Sequence, residues 1–354
     1  MKKSRSFWSL FASVTVVAFG AMATIAVAEP DEIDGPSATQ PADAASRPTS
    51  ASVVPFDAQS INAGQLYARS VAQARRMARD GQLTPSTQLP MPEDGKPAAL
   101  TLEPLGGAPM HPSDIYKTRS RGVVIVFGVN PALPRTSTTT PSETPTSQPS
   151  EGGPTTTSRP TTAPVERSRG VESATGFIIS KSGAMVTNYH VVANKDNAGF
   201  VAVTRDGKLL PVKAILAASA SLDLAIVQLE GEGFEPMPIA ERIDVGENVF
   251  CLSHPAQRFW YFTRGMVASY GVTARRGGQP VDRMMITADY AKGSSGGPIL
   301  NENGDVVGVV STTASVYYTE TPTGGQQNLQ MVFKSCVTSK QLLSLVETPA
   351  AGAK

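Results

Sequence analysis

The chain has 354 residues, with 31 Lys and Arg against 30 Asp and Glu, for a formal net charge of +1. A near-neutral balance supplies no bulk attraction to nucleic acid or to a membrane surface, so no nucleic-acid partner is expected and recognition must come from a local site. Three histidines and two cysteines leave too few ligands for a metal centre, and neither a metal nor a cofactor is expected.

Lys2, Lys3 and Arg5 precede an uncharged stretch from Phe7 to Val27, which closes on Ala26-Val27-Ala28 before Glu29. A basic start, an apolar run and a small-residue cleavage site make residues 1–28 a signal peptide. The run is also long enough to span a bilayer, so membrane contact is expected only if the segment stays uncleaved. Either fate exports the remainder to a periplasmic, cell-surface or extracellular position. Residues 29–117 are rich in Pro, Ala, Ser and Asp and are expected to be mostly disordered, apart from a helix at 60–80. Asn62 can cap its start and Gly81 its end. Its Arg69, Arg75, Arg76 and Arg79 offer either an anionic docking face or a solvated one. Between 82 and 117 prolines are frequent and no period is sustained.

Residues 118–130 contain the β-branched run RGVVIVFGV, expected to be the first strand of a globular region. A Thr/Ser/Pro-rich stretch, 131–169, cannot build a core and is read as an insertion or tether. From 170 to 347 short apolar strands follow in quick succession, first ATGFIIS, AMVTNYHVVA, FVAVTRDGKLLPVKAILA and LDLAIVQLE, then GENVFCLS, RGMVASYGVTA, RMMITADY, PILNENGDVVGVVST and LQMVFKS. This density predicts an all-β fold of two packed barrels, divided near 240, with a helix over Thr338 to Val346 and a short tail at 348–354. Cys251 and Cys336 are either a disulfide of an exported chain or two small buried apolar groups.

GSSGGP, 293–298, sets Ser295 between glycines, and a hydroxyl becomes a useful nucleophile only beside a base oriented by a third group. His111 lies among prolines and His254 in SHPAQ, whereas His190 closes the strand AMVTNYHVV at a barrel rim. Asp223 begins the apolar strand SLDLAIVQL, where an unpaired carboxylate would be costly. If it accepts the Nδ1 proton of His190, Nε2 is left free to act as base for Ser295.

ATGFIISKSGAMVTNYHVVAN, SLDLAIVQL and GSSGGPILNENGDVVGVVS together resemble the three catalytic blocks of the trypsin-like serine proteases, most closely the bacterial HtrA/Deg-type branch. The resemblance implies two six-stranded antiparallel β-barrels with a short C-terminal helix. It also implies a triad of His190 as general base, Asp223 as orienting acid and Ser295 as nucleophile, with the N–H groups of Gly293 and Ser295 as oxyanion hole. In VGENVFCLSHPAQ the family's usual Gly-Asn-Pro is replaced by Ser253-His254-Pro255, and His254 is given a loop role. Ser294 stands where zymogen-activated members carry an aspartate, so activation by a freed N-terminus is not expected. A PDZ-like segment, which many members of that branch carry, is not expected after Glu347. Asp289, six positions before Ser295, has the spacing of the acid that gives trypsin-like members a basic preference, and is either that specificity residue or a structural one. The function expected is a secreted serine endopeptidase acting on protein or peptide substrates through an acyl-enzyme. The alternative is a noncatalytic trypsin-fold binding or scaffold module at the cell surface.

Overall fold

The structure is a computed structural model that describes residues 61–130, 171–273, 280–320 and 326–348. The expectations for the signal peptide, for residues 29–60, for the Thr/Ser/Pro-rich stretch and for 349–354 lie outside those residues.

In chain order the elements are helix α1 (Ala63–Arg79), strand β1 (Ala98–Ala99), α2 (Pro112–Arg119), β2 (Val123–Val129), β3 (Val171–Ile178), β4 (Ala184–Thr187), α3 (Tyr189–Val192), β5 (Gly199–Val203), β6 (Leu209–Ser219) and β7 (Leu224–Leu229). Then come β8 (Asn248–Ser253), β9 (Tyr261–Thr273), β10 (Val281–Ile286), β11 (Pro298–Leu300), β12 (Val306–Glu320), β13 (Gln326–Thr338), α4 (Ser339–Leu343) and β14 (Val346–Glu347). The strands close into two barrels of six, ordered β2-β3-β4-β7-β6-β5 and β10-β13-β12-β11-β8-β9, and every pairing within them is antiparallel. β2 shows why closure suits these residues: it is buried along its whole length and pairs with β3 on one edge and β5 on the other. A run of Val, Ile and Phe buried on both faces needs partners on both edges, and a closed barrel provides them.

One apolar cluster joins the barrels. It includes Phe127, Phe177 and Ile226 of the first and Phe250, Leu252 and Val309 of the second. Cys251 and Cys336 are free and buried within the second barrel, and burial pushes the Cys251 thiol up to about 12. They are small apolar groups there, inert as thiolates.

The expectation of disorder up to 117 does not hold for its second half. Leu83, Leu89, Leu100 and Ile115 are buried, and Leu83, Leu100 and Ile115 join the cluster that bridges the barrels. Proline removes donors and prevents periodicity, but it does not prevent widely spaced leucines from anchoring a chain whose order comes from tertiary packing. α1 is likewise not simply solvated: Asn62 caps it by accepting from Gln65 N, and Ser70, Val71 and Ala74 are buried. His111, placed by sequence outside the globular region, caps α2, its Nδ1 accepting from Ser113 N ahead of Pro112. The region expected to open with a strand at 118 opens with the end of α2. At the other end, Thr338 and Gln341 form a capping box for α4, but Val346 leaves the helix and pairs with Ala98 in a parallel β1–β14 bridge.

Residues 82–100 form a strap across the first barrel. Ser86 Oγ lies 2.8 and 2.7 Å from the carbonyls of Lys195 and Asn197, while Lys195 Nζ donates to the carbonyls of Ser86 and Leu89, each at 3.1 Å. Further on, Asp94 Oδ1 accepts from Ala220 N at 2.7 Å and Gly95 N donates to Ala218 O at 2.9 Å. The strap therefore holds the loop after His190 and the loop before Asp223.

Candidate active site

β4 ends at Thr187, and a single helical turn, α3, follows the buried Asn188 and carries His190. Across the rim, Asp223 precedes β7 in a left-handed backbone conformation with φ of +62°. Asp tolerates that region better than most residues, and the strain is of the order of 1 kcal/mol. Asn188 Nδ2 donates to the Asp223 carbonyl at 2.8 Å, locking the two turns together.

The Asp223 carboxylate is nearly fully buried and well supplied with donors. His190 N donates to Oδ1 at 3.2 Å, and His190 Nδ1 lies 3.0 Å from both carboxylate oxygens. Ser311 Oγ, at the middle of β12, donates to Oδ2 at 3.3 Å. An ionised carboxylate only accepts, so Nδ1 carries the imidazole proton and Nε2 keeps its lone pair. The His190 side chain is 51% exposed while that of Asp223 is 6% exposed, so the acid is sheltered and the base open to a reactant.

Ser295 is half-buried, on a loop pinned from several sides. Its carbonyl accepts from Thr175 N at 2.9 Å, Ser294 N donates to Ala291 O at 3.0 Å, and Gly296 N donates to Val310 O at 3.1 Å. Gly296 has φ of +83°, and a Cβ there would collide with Thr175 O and Thr187 Oγ1. Both the conformation and the space demand glycine. That contact presses the serine loop onto the end of β4, three residues before His190.

The peptide groups ahead of Ser295 are also held. Ala256 N donates to Lys292 O at 2.7 Å, and Thr175 Oγ1 donates to Gly293 O at 2.8 Å while accepting from His254 N at 3.2 Å. In a trans peptide the N–H points opposite to the carbonyl, so tying Lys292 O to Ala256 turns Gly293 N–H the other way. Among the described residues neither Gly293 N–H nor Ser295 N–H donates to a protein acceptor. Two backbone donors left unengaged beside Ser295 have the chemistry to receive a developing negative charge.

His254 serves the same loop. It is fully buried, accepts from Trp260 N through Nδ1 at 2.9 Å, and meets Phe259 and Trp260 edge-on. Burial pulls its pKa down to about 3, so the ring is neutral. Ala256, Gln257 and Trp260 all have positive φ, from +46° to +63°, so this turn is strained backbone held in place by packing. Ser294 is fully buried and its Oγ accepts from Ser253 Oγ at 2.9 Å, a neutral pair at the position compared above with an aspartate.

Asp289 does not occupy a buried pocket base. Its side chain is 79% exposed and pairs with Lys334 Nζ at 2.8 Å. The neighbouring Tyr290 is the buried residue, with its OH donating to the carbonyls of Thr312 at 2.8 Å or Ser335 at 3.0 Å. An exposed, already paired carboxylate cannot supply the desolvated charge that a basic preference needs. Sequence reasoning missed Ser311, Asn188, Thr175 and Ala256. Their hydroxyl, amide or N–H groups reach the site only through contacts distant in the chain, and no local signal marks them.

Residues 174–309 match the family described as trypsin-like peptidase domain. Over those residues the chain is similar to trypsin-like peptidases. Among its relatives, "Uncharacterized protein y4bJ" of Sinorhizobium fredii is 31% identical over 214 residues, 59% of this chain and 32% of that one. "Probable periplasmic serine endoprotease DegP-like" of Rhizobium meliloti is 28% identical over 180 residues, 49% of this chain and 33% of that one. The chain spans about a third of the length of these curated relatives. A solved protease of M. tuberculosis in its active form aligns over 72% of this chain and 95% of its own, at 19% identity and a TM-score of 0.45. The matched residues run from within β3 to within β12, so β2 and β13 of the two barrels lie outside them. The strap, α1 and the outer part of the β12–β13 hairpin lie outside the matched residues.

Proposed function

We propose that this chain is an exported serine endopeptidase that hydrolyses peptide bonds of protein or peptide substrates through an acyl-enzyme. The observation that carries the reading is the buried Asp223 carboxylate holding His190 Nδ1 at 3.0 Å, which leaves Nε2 with its lone pair as a base. His190 takes the proton of Ser295 as Oγ attacks the scissile carbonyl. The N–H groups of Gly293 and Ser295 meet the oxyanion. The imidazolium then protonates the leaving amine, and water, activated by the same base, releases the acid product. Ser294, paired with a serine hydroxyl, carries no charge to be satisfied by a new N-terminus, which supports an oxyanion loop formed without that step. Export is supported by the basic-then-apolar start of the chain and by relatives named as periplasmic.

The noncatalytic module is not favoured, since no triad residue type is missing. Purified protein treated with a fluorophosphonate is expected to be labelled at one serine, and Ser295→Ala should abolish the labelling and lower kcat for casein about 10⁴-fold or more. Labelling that persists in the variant, or that never occurs in folded protein, sinks the reading.

A further inference from the structure

The loop bearing Ser295 is gripped on two flanks. On one, Gly296 N donates to Val310 O at 3.1 Å and Val310 N to Gly297 O at 2.9 Å, which ties the loop to β12. On the other it meets the turn 254–260. Ala256 N donates to Lys292 O at 2.7 Å, and a Cβ on Gly293 would lie 2.6 Å from His254 O. Lys292 therefore stands at the seam between loop and turn, one residue before the first of the two unengaged backbone donors.

Each side of this seam presents a cation to solvent. Lys292 and Arg258 are exposed, whereas Phe259 and Trp260, which follow Arg258, are buried. The arginine is held in place: its N donates to Pro255 O at 2.8 Å and its Nη1 to Ala256 O at 3.3 Å. Ala256 thus links the two cations, its carbonyl accepting from the guanidinium and its N–H holding the lysine carbonyl. Among the described residues neither Lys292 nor Arg258 forms an ion pair with a carboxylate. The acid of the same loop, Asp289, is taken by Lys334 at 2.8 Å, and Asp223 is buried against His190. Two cations on adjoining segments with no acid between them repel one another, and a shared anion relieves that repulsion. The turn that carries Arg258 has positive φ at Ala256, Gln257 and Trp260, so the charge sits on backbone already fixed before any ligand arrives.

We infer that Lys292 and Arg258 form a cationic patch that selects substrates carrying an Asp or Glu side chain close to the cleaved bond. The inference rests on the proposed peptidase reading, which needs Ser295, His190 and the oxyanion donors but no charge at 258 or 292. The four-carbon stem of Lys292 starts one residue from the N–H that meets the oxyanion, so its ammonium covers about two residues of extended substrate next to the bond. The Arg258 guanidinium adds a planar fork suited to a carboxylate. Both cations stand on the flank of the turn, away from β12, so the acid is favoured on one side of the bond only. Because both are exposed, the gain is modest and screened by salt, and it acts on substrate capture more than on the chemical step. The preference is opposite in sign to the basic one that the spacing of Asp289 suggested.

Quenched peptides sharing one cleavable bond provide the test on the full chain, with glutamate, glutamine or lysine placed in turn at each of the two positions on either side of that bond. At low salt glutamate should exceed glutamine roughly fivefold in kcat/KM, mainly through KM, at positions on one side only, and lysine there should fall below glutamine. The ratio of glutamate to glutamine should shrink as salt is raised. Lys292→Gln combined with Arg258→Gln should bring that ratio to about one, and Lys292→Glu combined with Arg258→Glu should turn the preference toward lysine. Fluorescence anisotropy of the same peptides on Ser295→Ala reads the patch without cleavage, and the same order of binding is expected. Equal rates and equal binding for glutamate and glutamine, a gain of the same size on both sides of the bond, or a preference that survives both double variants would each overturn the inference. Absent fluorophosphonate labelling with retained glutamate-dependent binding would support the patch and count against the peptidase reading alone.

Discussion

At the scale of single residues, the site depends on which atom carries a proton. The Asp223 carboxylate can only accept, and this sets the His190 tautomer. Asp223→Asn keeps the shape but offers an amide that can present its N–H to the ring, stabilising the wrong tautomer. It is expected to lower kcat on the order of 10⁴-fold with little change in KM, measured by steady-state peptide hydrolysis. His254 works through neutrality. Its folded pKa of about 3 is depressed below the ordinary value near 6.5, so between those values the unfolded chain binds a proton that the folded chain refuses. Stability from this residue is complete above pH ~6.5 and is lost as pH falls toward ~3, by about 2 kcal/mol between pH 7 and 5. Urea denaturation at both pH values should show wild type losing about that much more than His254→Asn, since carboxylate contributions are common to both. Equal losses would show that the ring is not held neutral. His190, Asp223 and Ser295 were legible in the sequence because each sits in a short local motif. For Asp289 the sequence left two readings open, because spacing from Ser295 says nothing about whether a side chain turns inward or pairs with Lys334 at the surface.

At the scale of elements, strands were legible and short irregular devices were not. Runs such as VVIVF and LAIVQL announce buried strands by β-branching and length. The single turn α3 is too short for any helical period to show, and its two valines read as strand. The strap has the composition of a loop, and its order comes from Leu83, Leu89 and Leu100 finding the barrel surface. Because it grips Ala218 and Ala220 ahead of Asp223, it acts on the site at a distance. Asp94→Ala removes the carboxylate that accepts from Ala220 N–H and should lower kcat severalfold with KM nearly unchanged, while costing about 1 kcal/mol of stability. Asp94→Asn keeps an acceptor and should restore most of the rate. A loss in Tm with kcat intact would mean that the strap stabilises without positioning.

At the scale of the whole molecule, the candidate site belongs to neither barrel alone. His190 and Asp223 stand on the rim of the first barrel, Ser295 and Ser311 on the second, and the contacts of Thr175 with Ser295, Gly293 and His254 join the two halves. Their geometry is therefore a consequence of how the barrels pack around the shared cluster of Phe127, Phe177, Phe250 and Leu252. The sequence by itself determined the all-β class, the succession of strands and the three residue types with the chemistry of a charge-stabilised nucleophile, since periodicity, turn residues and costly polar groups in apolar runs are local properties. Only the tertiary structure decided which donors hold the carbonyls of the serine loop, that His254 is a neutral core residue, that a proline-rich stretch is a strap, and that β12 outruns its barrel with an apolar face exposed. Those outcomes depend on groups far apart in the chain meeting at hydrogen-bond distance, and such meetings are set by packing, which no local window of sequence contains.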